Sequence, residues 1–164
     1  MRHRIFIAIN LPEDIRKELA GYQLKWPELP CRWTRPENLH ITLEFLGYIT
    51  DDEILTILQN TKELALKHES FTINLNKICY GPPDKMPPRM IWAVGRKNEE
   101  FNFIPHITLA RIKTWAWKQI EPEERPEVNE EINLSFDVNS IELMESELKR
   151  GGPQYTILES FLLK

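Results

Sequence analysis

The four letters His-Ile-Thr-Leu occur twice in this chain, as His40 to Leu43 within "LHITLEFLG" and as His106 to Leu109 within "PHITLARI". Each copy sets an imidazole and a hydroxyl two residues apart inside an apolar run. Side chains alternate faces along a strand. His40 and Thr42 therefore point one way and Ile41 and Leu43 the other; His106 and Thr108 stand in the same relation to Ile107 and Leu109. The aliphatic pairs suit burial, which leaves both His-Thr pairs facing a common cleft.

Histidine titrates near neutrality, so of two facing imidazoles one can hold a proton while the other is free. The threonine hydroxyls add donors for a charged oxygen, and Arg111 can add a charged donor. An acid, a base and donors around one centre suit in-line displacement at phosphorus without a metal. A single His-x-Thr is an ordinary half-buried strand pair, but two copies with matching apolar neighbours ask for a joint role. A metal site is the alternative, yet only two histidines converge and no carboxylate stands at ligand spacing from both. Glu44 shares the face of His40 by alternation, while the second copy has Ala110 at that place.

The elements that must carry these pairs follow from periodicity. "RIFIAINL" (Arg4 to Leu11) is β-branched and aromatic enough for a strand. "PEDIRKELAGYQLKW" opens with Pro12 at a first helical turn and sets Ile15, Leu19 and Tyr22 on one face. "LHITLEFLGYI" is a strand. "TDDEILTILQNTKELALKHE" is a helix capped by Thr50 or Asp51, with acidic residues in its first turn and Lys67 and His68 in its last. "FTINLNKICY", "RMIWAVG" and "FIPHITLARI" read as further strands, with the loop "GPPDKMPP" between the first two. "EPEERPEVNEE" reads as a loop, and "NLSFDVNSIELMESEL" and "YTILESFLL" close the chain around a turn at Gly151-Gly152-Pro153. This pattern predicts an α+β or mixed α/β domain. Between "IWAVG" and "FIPHITL" lie only Arg96 to Asn102, too few for the helix that a parallel crossover needs. Two readings are open: a lobe built without that helix, its strands joined as a hairpin, or an omitted segment.

At 164 residues the chain suits one domain, residues 1–164. Its 41% hydrophobic and 28% charged residues are those of an ordinary globule. Cys31 and Cys79 make no disulfide framework, and no Cys/His cluster has zinc spacing. The apolar run near the N-terminus is too short for a signal core, and no stretch approaches a membrane span, so a cytoplasmic monomer is expected. A net charge of −4 argues against a broad phosphate-tracking surface but leaves room for a small basic site. Arg89, Arg96, Lys97, Arg111, Lys113, Lys118, Lys149 and Arg150 are its candidates.

The segments "RIFIAINLPEDIRKEL", "ENLHITLEFLG", "FIPHITLAR" and "SELKRGGPQYTILESF", in this order, resemble the two-histidine phosphoesterases. The resemblance is to the RNA 2′,3′-cyclic phosphodiesterases in particular, also called 2′-5′ RNA ligases. It implies a bilobal, pseudo-symmetric α+β fold of mixed or antiparallel sheets flanked by helices, with the active cleft between the lobes. It implies hydrolysis of RNA 3′ ends or small cyclic nucleotides bearing a 2′,3′-cyclic phosphate to the 2′-phosphate, with no cofactor and no metal. By analogy His40 protonates the departing 3′ oxygen and His106 activates water. Thr42 and Thr108 hold the non-bridging oxygens, Arg111 neutralises the phosphate, and Phe45 stacks on the terminal base. Strict alternation puts Phe45 and Arg111 on the face opposite the histidines, so their roles require a bulge, a strand end or twist. Tyr155, in the closing motif, lines the cleft or sits in the core.

Two other functions fit the same letters: a 2′-5′ oligonucleotide phosphodiesterase or ligase, and a non-catalytic module that binds RNA ends. Trp115 and Trp117 beside Lys113 and Lys118 could form an RNA platform or anchor a core. His3 and His68 read as electrostatic caps or surface residues.

Overall fold

Ile5, Phe6, Ile7, Ala8 and Ile9 are all nearly inaccessible, so strand β1 (Arg2–Asn10) is buried on both faces. The computed structural model describes residues 1–164. The remaining elements are α1 (Glu13–Gly21), β2 (Cys31–Trp33), β3 (His40–Thr50), α2 (Asp51–Leu66), β4 (Phe71–Gly81), β5 (Met90–Gly95), β6 (His106–Ile112), α3 (Thr114–Gln119), β7 (Asn129–Val138), β8 (Ser140–Lys149) and β9 (Gly152–Leu162). Three short 3-10 turns complete the fold.

The strands run β7-β4-β5-β6-β3-β1-β8-β9, with β2 added to β6. The two strands carrying His-Ile-Thr-Leu are therefore central neighbours. Each leads a four-stranded half, β3-β1-β8-β9 or β6-β5-β4-β7, and Ile41 paired with Ile107 joins the halves. Pseudo-symmetric halves are thus present, and every pairing of named strands is antiparallel, not mixed.

Helix α1 begins after Pro12, with Glu13 and Asp14 on the side of its N-terminal dipole and Ile15 and Leu19 turned inward. At α2, Glu53 Oε1 accepts from the Thr50 amide at 3.1 Å and from its hydroxyl at 2.7 Å, an arrangement that satisfies one of the free N-terminal donors. Its Ile54, Ile57 and Leu58 pack against the main core, and the helix lies over β3, β8 and β9. Full burial of each such aliphatic contributes about 1.5–3 kcal/mol.

The short connection in the second half is a hairpin. β5 and β6 pair antiparallel, and a bridge between Asn98 and Phe103 extends them. Antiparallel neighbours need no crossover helix. Ile107 and Leu109 are nevertheless buried, in a core that includes Trp117 of α3 and has Phe101 and Phe103 of the hairpin packed against it. Helix α3 carries no periodic signal in its six residues. Strand β7 starts at Asn129, inside the stretch read as an acidic loop, and Asn139 divides the last long stretch into β7 and β8.

The tryptophan platform does not form. Trp117 is buried with the Arg125 guanidinium 4.2 Å over its ring, and neither it nor Trp115 reaches the cleft. His3 pairs with both Asp51 and Glu145, and His68 with Glu100 while stacking on Phe101.

Candidate active site

The local register of β3 and β6 decides which side chains meet. β3 pairs Thr42 with Ala8 and Glu44 with Ile7, so Leu43 is an extra residue without a partner. β6 does the same one strand away: Thr108 faces Trp92, Ala110 faces Ile91, and Leu109 is extra. One inserted residue reverses the alternation beyond it. Phe45 and Arg111, each three residues past its threonine, come onto the histidine face. Glu44 leaves that face, which corrects its assignment by strict alternation. The two motifs are thus repeated in bulge as well as in letters.

All six residues line one cleft of about 590 Å³ between the halves. His40 Nδ1 donates to the Asn38 carbonyl at 2.7 Å, leaving Nε2 toward the Thr42 hydroxyl at 3.0 Å. At His106 the carbonyl two residues earlier, that of Ile104, favours the protonated ring. The tautomer that leaves Nε2 available is fixed at His40 by the bond from Nδ1 to the Asn38 carbonyl. Neighbouring rings immobilise the imidazoles. Phe6 and Tyr155 lie 5.3 and 5.0 Å from His40, and Trp92 stacks on His106 at 4.2 Å with 29° between planes. Gly81 makes that stack possible, since a Cβ there would overlap the indole of Trp92.

Burial pushes both imidazoles below the usual histidine range. The Asn38 and Ile104 carbonyls oppose this, while Arg16 and His106 push His40 further down. Of these influences on His40, the charge of His106 is the smallest. The Thr108 hydroxyl is weakly engaged, with only the Met90 sulfur at 3.8 Å, whereas that of Thr42 meets His40 Nε2. Phe45 is 67% exposed although its ring lies 5.9 Å from Phe6, an open apolar face at the cleft.

Sequence reasoning missed much of the lining. Arg4, Arg32 and Arg35 join Arg111, so four arginines and no carboxylate surround the cavity of a chain with net charge −4. The other basic candidates, Arg89, Arg96, Lys97, Lys113, Lys118, Lys149 and Arg150, lie elsewhere. Arg4 was detectable as the residue two before Phe6 on one face of β1. Tyr155 lines the cleft; its burial raises the phenol, opposed by Arg111 and Arg4.

The family model for LigT-like phosphoesterases matches residues 9–92. An RNA 2′,3′-cyclic phosphodiesterase of Aquifex aeolicus is 31% identical over 180 aligned positions, covering 95% of this chain and 92% of the relative. Those positions outnumber the 164 residues here, so the relative has residues that this chain lacks. A Thermus thermophilus protein of known crystal structure superposes with a TM-score of 0.82 at 30% identity, over 98% of this chain and 97% of that one. The LigT of E. coli, crystallised with phosphate, gives 0.77 at 26% identity over 99% and 98%. With the antiparallel halves, the repeated motifs and these similarities together, the chain belongs to the LigT-like phosphoesterase family of the two-histidine phosphoesterase superfamily.

Proposed function

We propose that residues 1–164 act as one cytoplasmic, monomeric domain that hydrolyses 2′,3′-cyclic phosphate at RNA 3′ ends, or on small cyclic nucleotides, to the 2′-phosphate. The observation that carries this is the convergence of two equally bulged His-Ile-Thr-Leu strands on one arginine-lined cleft. The name of the Aquifex relative supports the same substrate. His106 takes a proton from water as its oxygen attacks phosphorus. The bond from phosphorus to the 3′ oxygen breaks, and His40 gives that oxygen a proton. One water is consumed, and the 2′ ester bond remains.

Thr42 and Thr108 donate to the non-bridging oxygens, and Arg111 offsets the charge that grows on them. Phe45 offers the terminal base a stacking face. In this route the acid, the base and the donors are all side chains, so the proposed chemistry runs without a metal. Incubating the protein with a 2′,3′-cyclic nucleotide in EDTA tests this. The 2′-phosphate as sole product is expected. Activity lost in chelator and restored by zinc or magnesium would refute the metal-free chemistry, and a 3′-phosphate product would refute the assignment of the leaving oxygen.

A further inference from the structure

Arg32 on β2 and Arg35 just after it converge on one oxygen. Both Nη2 atoms donate to the Gly151 carbonyl in the β8–β9 turn, Arg35 at 3.2 Å. The turn is shaped around them: a Cβ on Gly151 would stand 2.7 Å from the Arg35 Nη2, and one on Gly152 2.8 Å from that of Arg32. Asn38 ties the same turn down by donating to the Pro153 carbonyl at 3.0 Å.

Two guanidiniums sharing one neutral acceptor are under-used. Each has five N–H donors in a planar fork that matches phosphate oxygens. Neither has a carboxylate partner; the seven ion pairs of the fold include no arginine at all. Like charges are thus brought together at a cleft wall with no counter-charge on the protein. Arg111 already stands with the reacting groups on β6, whereas Arg32 and Arg35 belong to the segment leading into β3 and face the β8–β9 turn.

We propose that Arg32 and Arg35 form a second anion subsite that binds the phosphate on the 5′ side of the terminal nucleoside. This rests on the cyclic-phosphate reading and narrows it: the preferred substrate carries two phosphates, one that reacts and one that is only gripped. An RNA chain supplies the second as a phosphodiester, a mononucleotide as a 5′-phosphate.

The test compares kcat/KM for adenosine 2′,3′-cyclic phosphate, its 5′-phosphorylated form, the dinucleotide ending in the same cyclic phosphate, and that dinucleotide with a neutral methylphosphonate linkage. The native protein should prefer the charged dinucleotide over the methylphosphonate by about 10–100-fold, the range of charge-assisted contacts. R32Q/R35Q should erase that preference, losing far more on the charged substrate than on the neutral one. Equal preference for the 5′-phosphorylated nucleoside would identify any 5′-phosphate as the ligand; a gain with the dinucleotide alone would identify the chain linkage. Equal losses of R32Q/R35Q on all four substrates, or a preference that survives the substitutions, would overturn the subsite. Affinity of the native protein and of R32Q/R35Q for the same two dinucleotides ending in an uncyclised 2′-phosphate supplies a readout without turnover. If no cyclic phosphate is cleaved, the cyclic-phosphate reading fails, and the binding preference for the charged linkage still decides the subsite.

Discussion

Gly81→Ala should damage catalysis from outside the cleft. The added methyl has no space, because the Trp92 indole occupies the position of the new Cβ. Forcing a methyl into such a site costs about 1–3 kcal/mol. In a chain of 164 residues each kcal/mol lowers Tm by about 2–4 °C, so thermal unfolding should fall by about 2–12 °C. The indole can yield only by moving, and His106 is stacked on it at 4.2 Å. A displacement of about 1 Å in a general base costs about 10²-fold in rate. The assay is kcat on a 2′,3′-cyclic nucleotide at a temperature well below both transitions, with Tm measured in parallel. Adding Trp92→Phe to Gly81→Ala makes room for the methyl while keeping a ring under the imidazole, and should recover part of both losses. A Gly81→Ala protein with the full fall in Tm and an unchanged kcat would show that Trp92 does not set the position of His106.

Because burial lowers both imidazoles, the singly protonated pair of the free enzyme is most populated on the acid side of 6.5; the bell of kcat/KM should peak there. The kcat bell should lie at higher pH, since a bound phosphate anion favours the charged imidazole; coincident bells would contradict this. His40→Ala and His106→Ala should each lose about 10²–10⁴-fold in kcat, and the double variant far less than the product, as residues acting as a unit do. Multiplying losses would mean that the two histidines act independently. At the far end of the sheet, hydrogen bonds to Asp51 and then Glu145 raise His3. The stability it contributes is fully present below its unfolded value near 6.5 and is lost as pH rises through the raised folded value. Urea unfolding should therefore show His3→Ala weakening the protein more at about pH 5.5 than at about pH 9, and equal losses would contradict the pairing.

The repeated His-Ile-Thr-Leu was legible because it needs only local alternation, and so was Arg4 to Leu11 as a strand, from its β-branched and aromatic residues. The bulges were not. Leu43 and Leu109 have the same apolar character as the residues that an unbroken strand would place there, so only the partner strand reveals that each is an insertion. Counting alone put Phe45 and Arg111 on the opposite face and left a bulge, a strand end or twist open, although their equal offset from Thr42 and Thr108 was a usable sign of the bulge. Arg32 and Arg35 escaped notice because their significance lies in meeting a turn more than a hundred residues away, a contact that no local pattern encodes. The absent crossover helix was visible as a short connection, but what replaces it depends on Trp117, Phe101 and Phe103 folding back over a distant face.

Assigning opposite duties to two chemically equal histidines can be tested on a cyclic substrate whose bridging 3′ oxygen is replaced by sulfur. A thiolate leaves without being protonated, so the acid becomes dispensable while the base does not. With this substrate His40→Ala should turn over at nearly the native rate, and His106→Ala should remain about 10²–10⁴-fold slow. Equal rescue of both variants, or rescue of His106→Ala alone, would contradict the division of labour between β3 and β6.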